Sequence, residues 1–310
     1  MTDRPSVCVF SPAPLLTITV ERALDGRDEL HLHPGGQGFW VARMIQALGG
    51  DVVLCGPFGG ETGGVLRHLL EDAGIRIRAI DMPSANGAYV HDRRDGERRE
   101  LWEAELDVLG RHELDELYTT TLAEGIGARV CVLTGTHLQE IVEADTYRRL
   151  ASDLAANGTR VVADLSGPLL ASALEGRLHL VKLSDEELAG GGWAAADTIE
   201  TIRHGIEQLH EAGAANVVVS RADEGSIALL DGRWHEVRAP AMEIVDHRGA
   251  GDSMTAALAV ATARDLDATE TLRLAAAAGA VNVTRHGLGT GRADAIAQLA
   301  ENVVVTTLAP

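Results

Sequence analysis

Lysine is nearly missing from this sequence: one, at position 182, stands among 27 basic residues. Because that lysine lies in VKL, the chain has no Gly-Lys phosphate loop, which excludes the NTPases built on that loop. The preference for arginine follows genome composition, and it gives Lys182 weight as the place where that drift stopped. Cysteine is scarce too. Cys8, Cys55 and Cys131 are odd in number, widely spaced and each set in an apolar strand-like run. That pattern argues against a disulfide framework or a zinc site and for core residues in a reducing compartment. No stretch of ~18 apolar residues is present to cross a membrane. The opening MTDRPSVCVFSPAP lacks the apolar segment of a signal peptide, so a cytoplasmic location is expected. Positive charge is in deficit, with 27 Lys+Arg against 46 Asp+Glu and a net charge of −19. Such a field repels a phosphate backbone and an anionic membrane surface, so neither nucleic acid nor a membrane is expected as partner.

Apolar residues are plentiful, at 45% of 310 positions, enough to fold most of the chain around one large core or two smaller ones. Short β-branched runs (DVVLCG, RVCVLTG, RVVADL, LHLVKL, NVVVS) alternate with longer helical patterns such as ETGGVLRHLLEDAGI. Continuous apolar strands separated by helices are buried on both faces, the pattern of a mostly parallel sheet in an α/β fold with right-handed crossovers. Residues 15–33 and 86–102 break this rhythm. They alternate apolar and polar residues around Asp25-Gly26 and Asp95-Gly96, and predict two hairpins that leave the core. The expected division is a core of residues 1–14, 34–85 and 103–310 with a small β-lid of residues 15–33 and 86–102.

The stretch HRGAGDSM, residues 247–254, falls between the strand-like AMEIV and the helix-like SMTAALAVATA. Glycines at a strand-to-helix turn let main-chain N–H groups crowd toward a ligand, and a helix start favours an anion such as phosphate. A carboxylate beside a phosphate is repelled unless chemistry requires it. Asp252 in that place would take a proton from an incoming hydroxyl while the turn's amides stabilise the charge that develops on the transferred group. The plain alternative is structural: Asp is a favoured helix N-cap and Gly-Ala-Gly a common tight turn. A dinucleotide-dependent oxidoreductase is disfavoured, since no third glycine or alanine completes the fingerprint.

Taken with PGGQGFWVAR at residues 34–43, the chain resembles the PfkB, or ribokinase-like, carbohydrate kinases, in which a GGKGxNxAR motif is paired with a C-terminal GAGD. LHLVKLSDEEL resembles that family's K-P-N-x-x-E segment, and NVVVSRADEGSIALL its nucleotide strand and turn. AAAAGAVNVTRHGLGTG resembles the helix that borders its adenine pocket. The resemblance is closest to the 1-phosphofructokinase and tagatose-6-phosphate kinase branch. It implies a three-layer α/β/α core with a small β-sheet lid over the sugar, and phosphoryl transfer from ATP, with Mg²⁺, to a hydroxyl of a sugar-like acceptor. Asp252 would be the general base, and the amides of Gly249, Ala250 and Gly251 the anion hole. Lys182 would lie near the ATP phosphates, Ser184 replaces the family's metal-side Asn, and Glu187 would hold magnesium through water. Ser220, Gly225 and Asn282 fall where the family meets the nucleotide. On the residues alone, Glu187 is equally a carboxylate of a helix's first turn, and Asn282 a polar residue on an apolar helix. A homodimer through the lid is a further expectation of the resemblance.

The departures from the family gather at the acceptor end. Gly35 and Gly36 keep its glycines, but Gln37 and Trp40 replace its lysine and asparagine. Leu15 stands about where a carboxylate grips sugar hydroxyls, and Asn86 where an arginine meets the sugar phosphate. Trp40 can stack on a ring face but does not replace hydroxyl contacts. The lid run RRDGERR carries Arg93, Arg94, Arg98 and Arg99, of which an inward-facing pair would bind a phosphate on the acceptor, although charges in hairpins are as a rule solvated. Asp246, His247 and Arg248 replace the branch's NTV before GAGD, against a monovalent-cation loop there. The resulting expectation is an active kinase for a modified sugar or cyclitol, with or without a phosphate of its own. The alternative is a degenerate relative that binds a ligand without turning it over.

Overall fold

The structure is a computed structural model that describes residues 4–104, 106–136, 141–194, 198–285 and 288–309. Its central strands are apolar at successive positions because each face of the sheet meets helices. In Ser6–Phe10, Val7 and Val9 enter one hydrophobic cluster while Cys8 and Phe10 enter the other; Val130–Thr134 splits in the same way. Cys8, Cys55 and Cys131 all fall in the second cluster as buried free thiols, as the sequence led us to expect. Among the described residues the sheet has ten strands. From Ala214–Ser220 through Leu178–Ser184, Arg160–Asp164, Val130–Thr134, Ser6–Phe10 and Asp51–Phe58 to Arg76–Asp81, every pairing is parallel. Three antiparallel strands, Ser226–Leu230, Arg233–Arg238 and Val304–Leu308, extend the other edge.

Helix Ala250–Ala263 is buried from Ser253 onward. Its small residues allow close packing against Ala268–Val283 and against the sheet, and a helix apolar all round is at home only in such a core. One expected strand fails: AMEIV is irregular, with Met242, Ile244 and Val245 exposed, so its apolar residues have no sheet to join. The two hairpins form a small separate sheet of four strands, Leu15–Arg22, Asp28–Gly35, Ala88–Asp92 and Arg99–Ala104, referred to below as the lid. Its strands run two residues past each predicted end, since Leu15 pairs with Gly35 and Ala88 with Ala104, and the hairpins join through a parallel pair, Leu16 opposite Ala88. One face carries the directly paired Leu32, Ile18, Val90 and Trp102; Tyr89 and His91 point to the other.

Candidate active site

In open parallel sheets, ligands bind beyond the carboxyl ends of the strands. A cavity of about 400 Å³ lies there, between those ends and the lid. Asp164 ends one strand, and Gly135 and Thr136 follow another. Gly36, Gln37 and Trp40 come from the first turn of helix Gln37–Ala47, Leu15 and Tyr89 from the lid, and Glu187 and Asp252 from two further helices.

Gly249 caps helix Ala250–Ala263 in the left-handed conformation, φ 74°, which favours glycine, and a side chain there would press on Leu288 at 3.1 Å. The first amides of that helix have no partner within it and face outward with the positive end of the helix dipole. Gly251 meets a different demand. A Cβ on it would lie 2.5 Å from Lys182 Nζ, so the absent side chain lets the ammonium rest on the turn. Lys182 is 5% exposed, and its Nζ is 3.7 Å from Asp164 Oδ1. Burial works against its charge, but Asp164, Glu187 and Asp252 outweigh burial and raise its pKa.

Asp252 is the carboxyl of this arrangement whose proton affinity is raised. Burial pushes its pKa up to about 7; the Asp164 charge adds to the rise, Lys182 and a hydrogen bond from Gln37 oppose it, and Glu187 adds again. The Gln37 carbonyl accepts from the Gly135 N–H at 2.7 Å, which leaves its amide nitrogen for Asp252. A carboxyl that exchanges its proton near neutrality beside main-chain amides and a fixed ammonium is equipped to take a proton from an alcohol while negative charge is held next to it.

Glu187 serves two ends. Its Oε2 accepts from the Ser184 N–H at 2.7 Å while Ser184 Oγ accepts from the Glu187 N–H, a capping box that starts helix Asp185–Gly190, and its carboxylate also lines the cavity. Ser220 ends its strand beside this turn, its hydroxyl donating to the Leu183 carbonyl at 3.5 Å. Gly225 lies in the following turn, φ 89°, away from the cavity wall. Gly35 closes the lid strand that leads into Gly36.

Two assigned residues depart from the sequence reading. Asn86 is 2% exposed and outside the cavity wall: its amide donates to the Pro14 and Pro57 carbonyls, and its oxygen accepts from the Gly59 N–H. All its polar capacity goes to backbone, so it braces the lid's root instead of meeting an acceptor. Asn282, 1% exposed, donates to the Arg248 carbonyl and accepts from the Thr290 N–H, so it ties the glycine turn to the segment after the next helix. The lid arginines also part company. Arg94 and Arg99 clasp the buried Asp92 carboxylate, Arg93 approaches Glu21 at 3.9 Å, and Arg98 meets the His91 ring at 2.6 Å with Tyr89 and Asp246 nearby. Arg248 turns back onto Asp246, 2.5 Å away.

Sequence reasoning missed Asp164, hidden in the strand-like RVVADL. It accepts from the Thr255 hydroxyl at 2.5 Å, is 4% exposed and touches the electrostatics of both Lys182 and Asp252. It also missed Tyr89, Ser166 and Leu169 on the cavity wall. An acidic residue closing an apolar strand was the available signal.

The arrangement has relatives. A family model described as pfkB family carbohydrate kinase matches residues 16–295. The chain is 25% identical to a 1-phosphofructokinase of Vibrio cholerae over 100% of its own length and 99% of the relative's. It is 31% identical to the ATP-dependent 6-phosphofructokinase isozyme 2 of Mycobacterium tuberculosis over 86% of this chain and 79% of the relative. A crystal structure of a mutant phosphofructokinase-2 from Escherichia coli superposes with a TM-score of 0.86 at 25% identity, covering 96% of this chain and 99% of that one.

Proposed function

Because the chain belongs to the pfkB family of carbohydrate kinases, phosphotransferases that act on a hydroxyl group, we propose that it transfers the γ-phosphoryl group of ATP to a modified sugar or cyclitol. The observation that carries this is Asp252, a proton-accepting carboxyl set against Lys182 and the glycine-turn amides on the wall of an acceptor-sized cavity. Asp252 accepts the acceptor's proton, the amides of Ala250 and Gly251 face the transferring group, and Lys182 holds charge beside them. Mg²⁺ binds through one or two carboxylates together with phosphate oxygens and water. Among the described residues no cluster of three ligating side chains exists, and Glu187 on the cavity wall supplies a hard oxygen donor of the fitting kind. Bound there, the ion would neutralise charge on the ATP phosphates.

Tyr89, Trp40 and Leu15 shape the acceptor side, and Arg98, against the His91 ring that stacks on Tyr89, is a lid cation offered to an acceptor phosphate. The apolar lid face, with Leu30 62% and Trp102 56% exposed, suits a second copy of the chain. The intact base and anion hole favour turnover over ligand sensing. The test is Asp252→Asn: ATP binding should persist while ADP release with a panel of sugars, cyclitols and their phosphates falls by ~10² to 10⁴, the range for a lost general base. A variant that keeps most of its rate would remove Asp252 from this role.

A further inference from the structure

The cavity has a side pouch. A recess of about 20 Å³ lies under the root of the lid and shares Ala13, Leu15, Tyr89 and Thr136 with the wall of the main cavity. Pro14, Gly87, Glu103, Ala104, Leu106 and Ile141 also line it, Leu106 and Ile141 at 7% and 3% exposure. Space of that size holds about one water-sized group, and a water stays in such a place only with two to four polar partners. Among the described residues, the polar side chains that line it, Tyr89, Glu103 and Thr136, are engaged. Tyr89 and Glu103 hydrogen-bond each other, and burial together with that bond pushes the phenol up to about 12, so it stays neutral. A hydroxyl driven in here gives up its hydration without full replacement, whereas a methyl group gives up nothing.

Resting on the kinase reading above, we propose that this recess recognises a methyl group: the acceptor is a sugar in which a terminal hydroxymethyl is replaced by methyl, seated against Leu15, Leu106 and Ile141. Dispersion contacts also run along the main wall, from Leu15, Leu165 and Leu169, whose side chains offer no hydrogen bonds, and from the indole face of Trp40. The polar side chains of the main cavity, Gln37, Asp164, Ser166, Glu187 and Asp252 among them, orient a ligand, and the apolar fit adds affinity.

The test measures ADP release with ATP and Mg²⁺ on matched pairs. D-Fructose is set in two pairs, beside 1-deoxyfructose and beside 6-deoxyfructose, in each of which one terminal CH₂OH is CH₃ and the other remains to accept the phosphoryl group. The methyl member of at least one pair should be preferred roughly 10- to 200-fold in kcat/KM, the range for one small apolar group in a fitted pocket. Ala104→Leu, or Leu106→Phe should the first variant fold poorly, fills the recess and should bring that ratio toward one. Equal or better turnover of the hydroxylated member in every pair, or a ratio indifferent to filling, overturns the methyl assignment and leaves the kinase reading standing. If no pair releases ADP, calorimetric binding of the same compounds decides. Tighter binding of a methyl member supports the recess and counts against phosphoryl transfer alone, while equal binding or none overturns the recess.

Discussion

Neutralising Asp252 should make the ligand-free protein more stable, and more so as the pH rises. Its pKa stands near 7 against an ordinary 3.8, raised first by burial and then by Asp164. In the folded state the group therefore holds its proton between about pH 4 and 7, where the unfolded chain has released it. That preference stabilises the fold at low pH and is lost as the pH climbs through 7. A displacement of about three units corresponds to ~4 kcal/mol over the whole range, and about 3 kcal/mol of it falls between pH 5 and 8.5. Asp252→Asn has no proton to lose, so its stability relative to wild type should climb by up to that amount across the same window. Lys182 loses one of the carboxylates that keep it charged, which trims the gain. Guanidinium unfolding of both proteins without nucleotide, at pH 5, 7 and 8.5, reads the difference directly. Parallel pH curves, or a variant that weakens relative to wild type at pH 8.5, would refute the electrostatics assigned to Asp252.

The same ionisation predicts that kcat/KM of the wild type rises as the pH passes through about 7, because only the charged carboxylate accepts a proton; a rate flat from pH 5.5 to 8.5 would contradict it. Gly251→Ala places a methyl against the Lys182 ammonium and should cost ~10² to 10³ in kcat, the scale of one lost anion-hole donor, with little change in thermal midpoint. Asn86→Ala strands one N–H and two carbonyls and should destabilise by about 3 kcal/mol or more, while the folded fraction keeps its affinity for ATP in calorimetry. Trp40→Ala should weaken the acceptor roughly tenfold or more and ATP far less; equal losses would misplace the indole.

The parts of the site legible in the sequence are those whose task is local. Gly249 is dictated by a left-handed turn and Gly251 by one close approach, so the tetrapeptide carries its own reasons. Strand identity was legible because burial on two faces leaves unbroken apolar runs. Asn86 was misread since an amide's role lies in its partners, here carbonyls 29 and 72 residues away, and the partner of Asn282, a carbonyl 34 residues away, was equally out of view. AMEIV was misread because β-branched residues make a strand only beside another strand. Asp164 stayed hidden inside a strand pattern, and its meaning depends on Thr255 arriving from a helix 91 residues later.

The clasp made by Asn86 limits how the lid can travel. Pro14 immediately precedes one lid strand, Asn86 itself stands just before another, and both are fastened to Pro57 and Gly59 in the core. Were the lid to flex, it would do so like a page held at its spine: the outer margin near Asp95 would sweep, while Pro14, Leu15 and Gly87 would stay put. Whatever shape those three residues present to a visiting molecule is the same before the page turns and after.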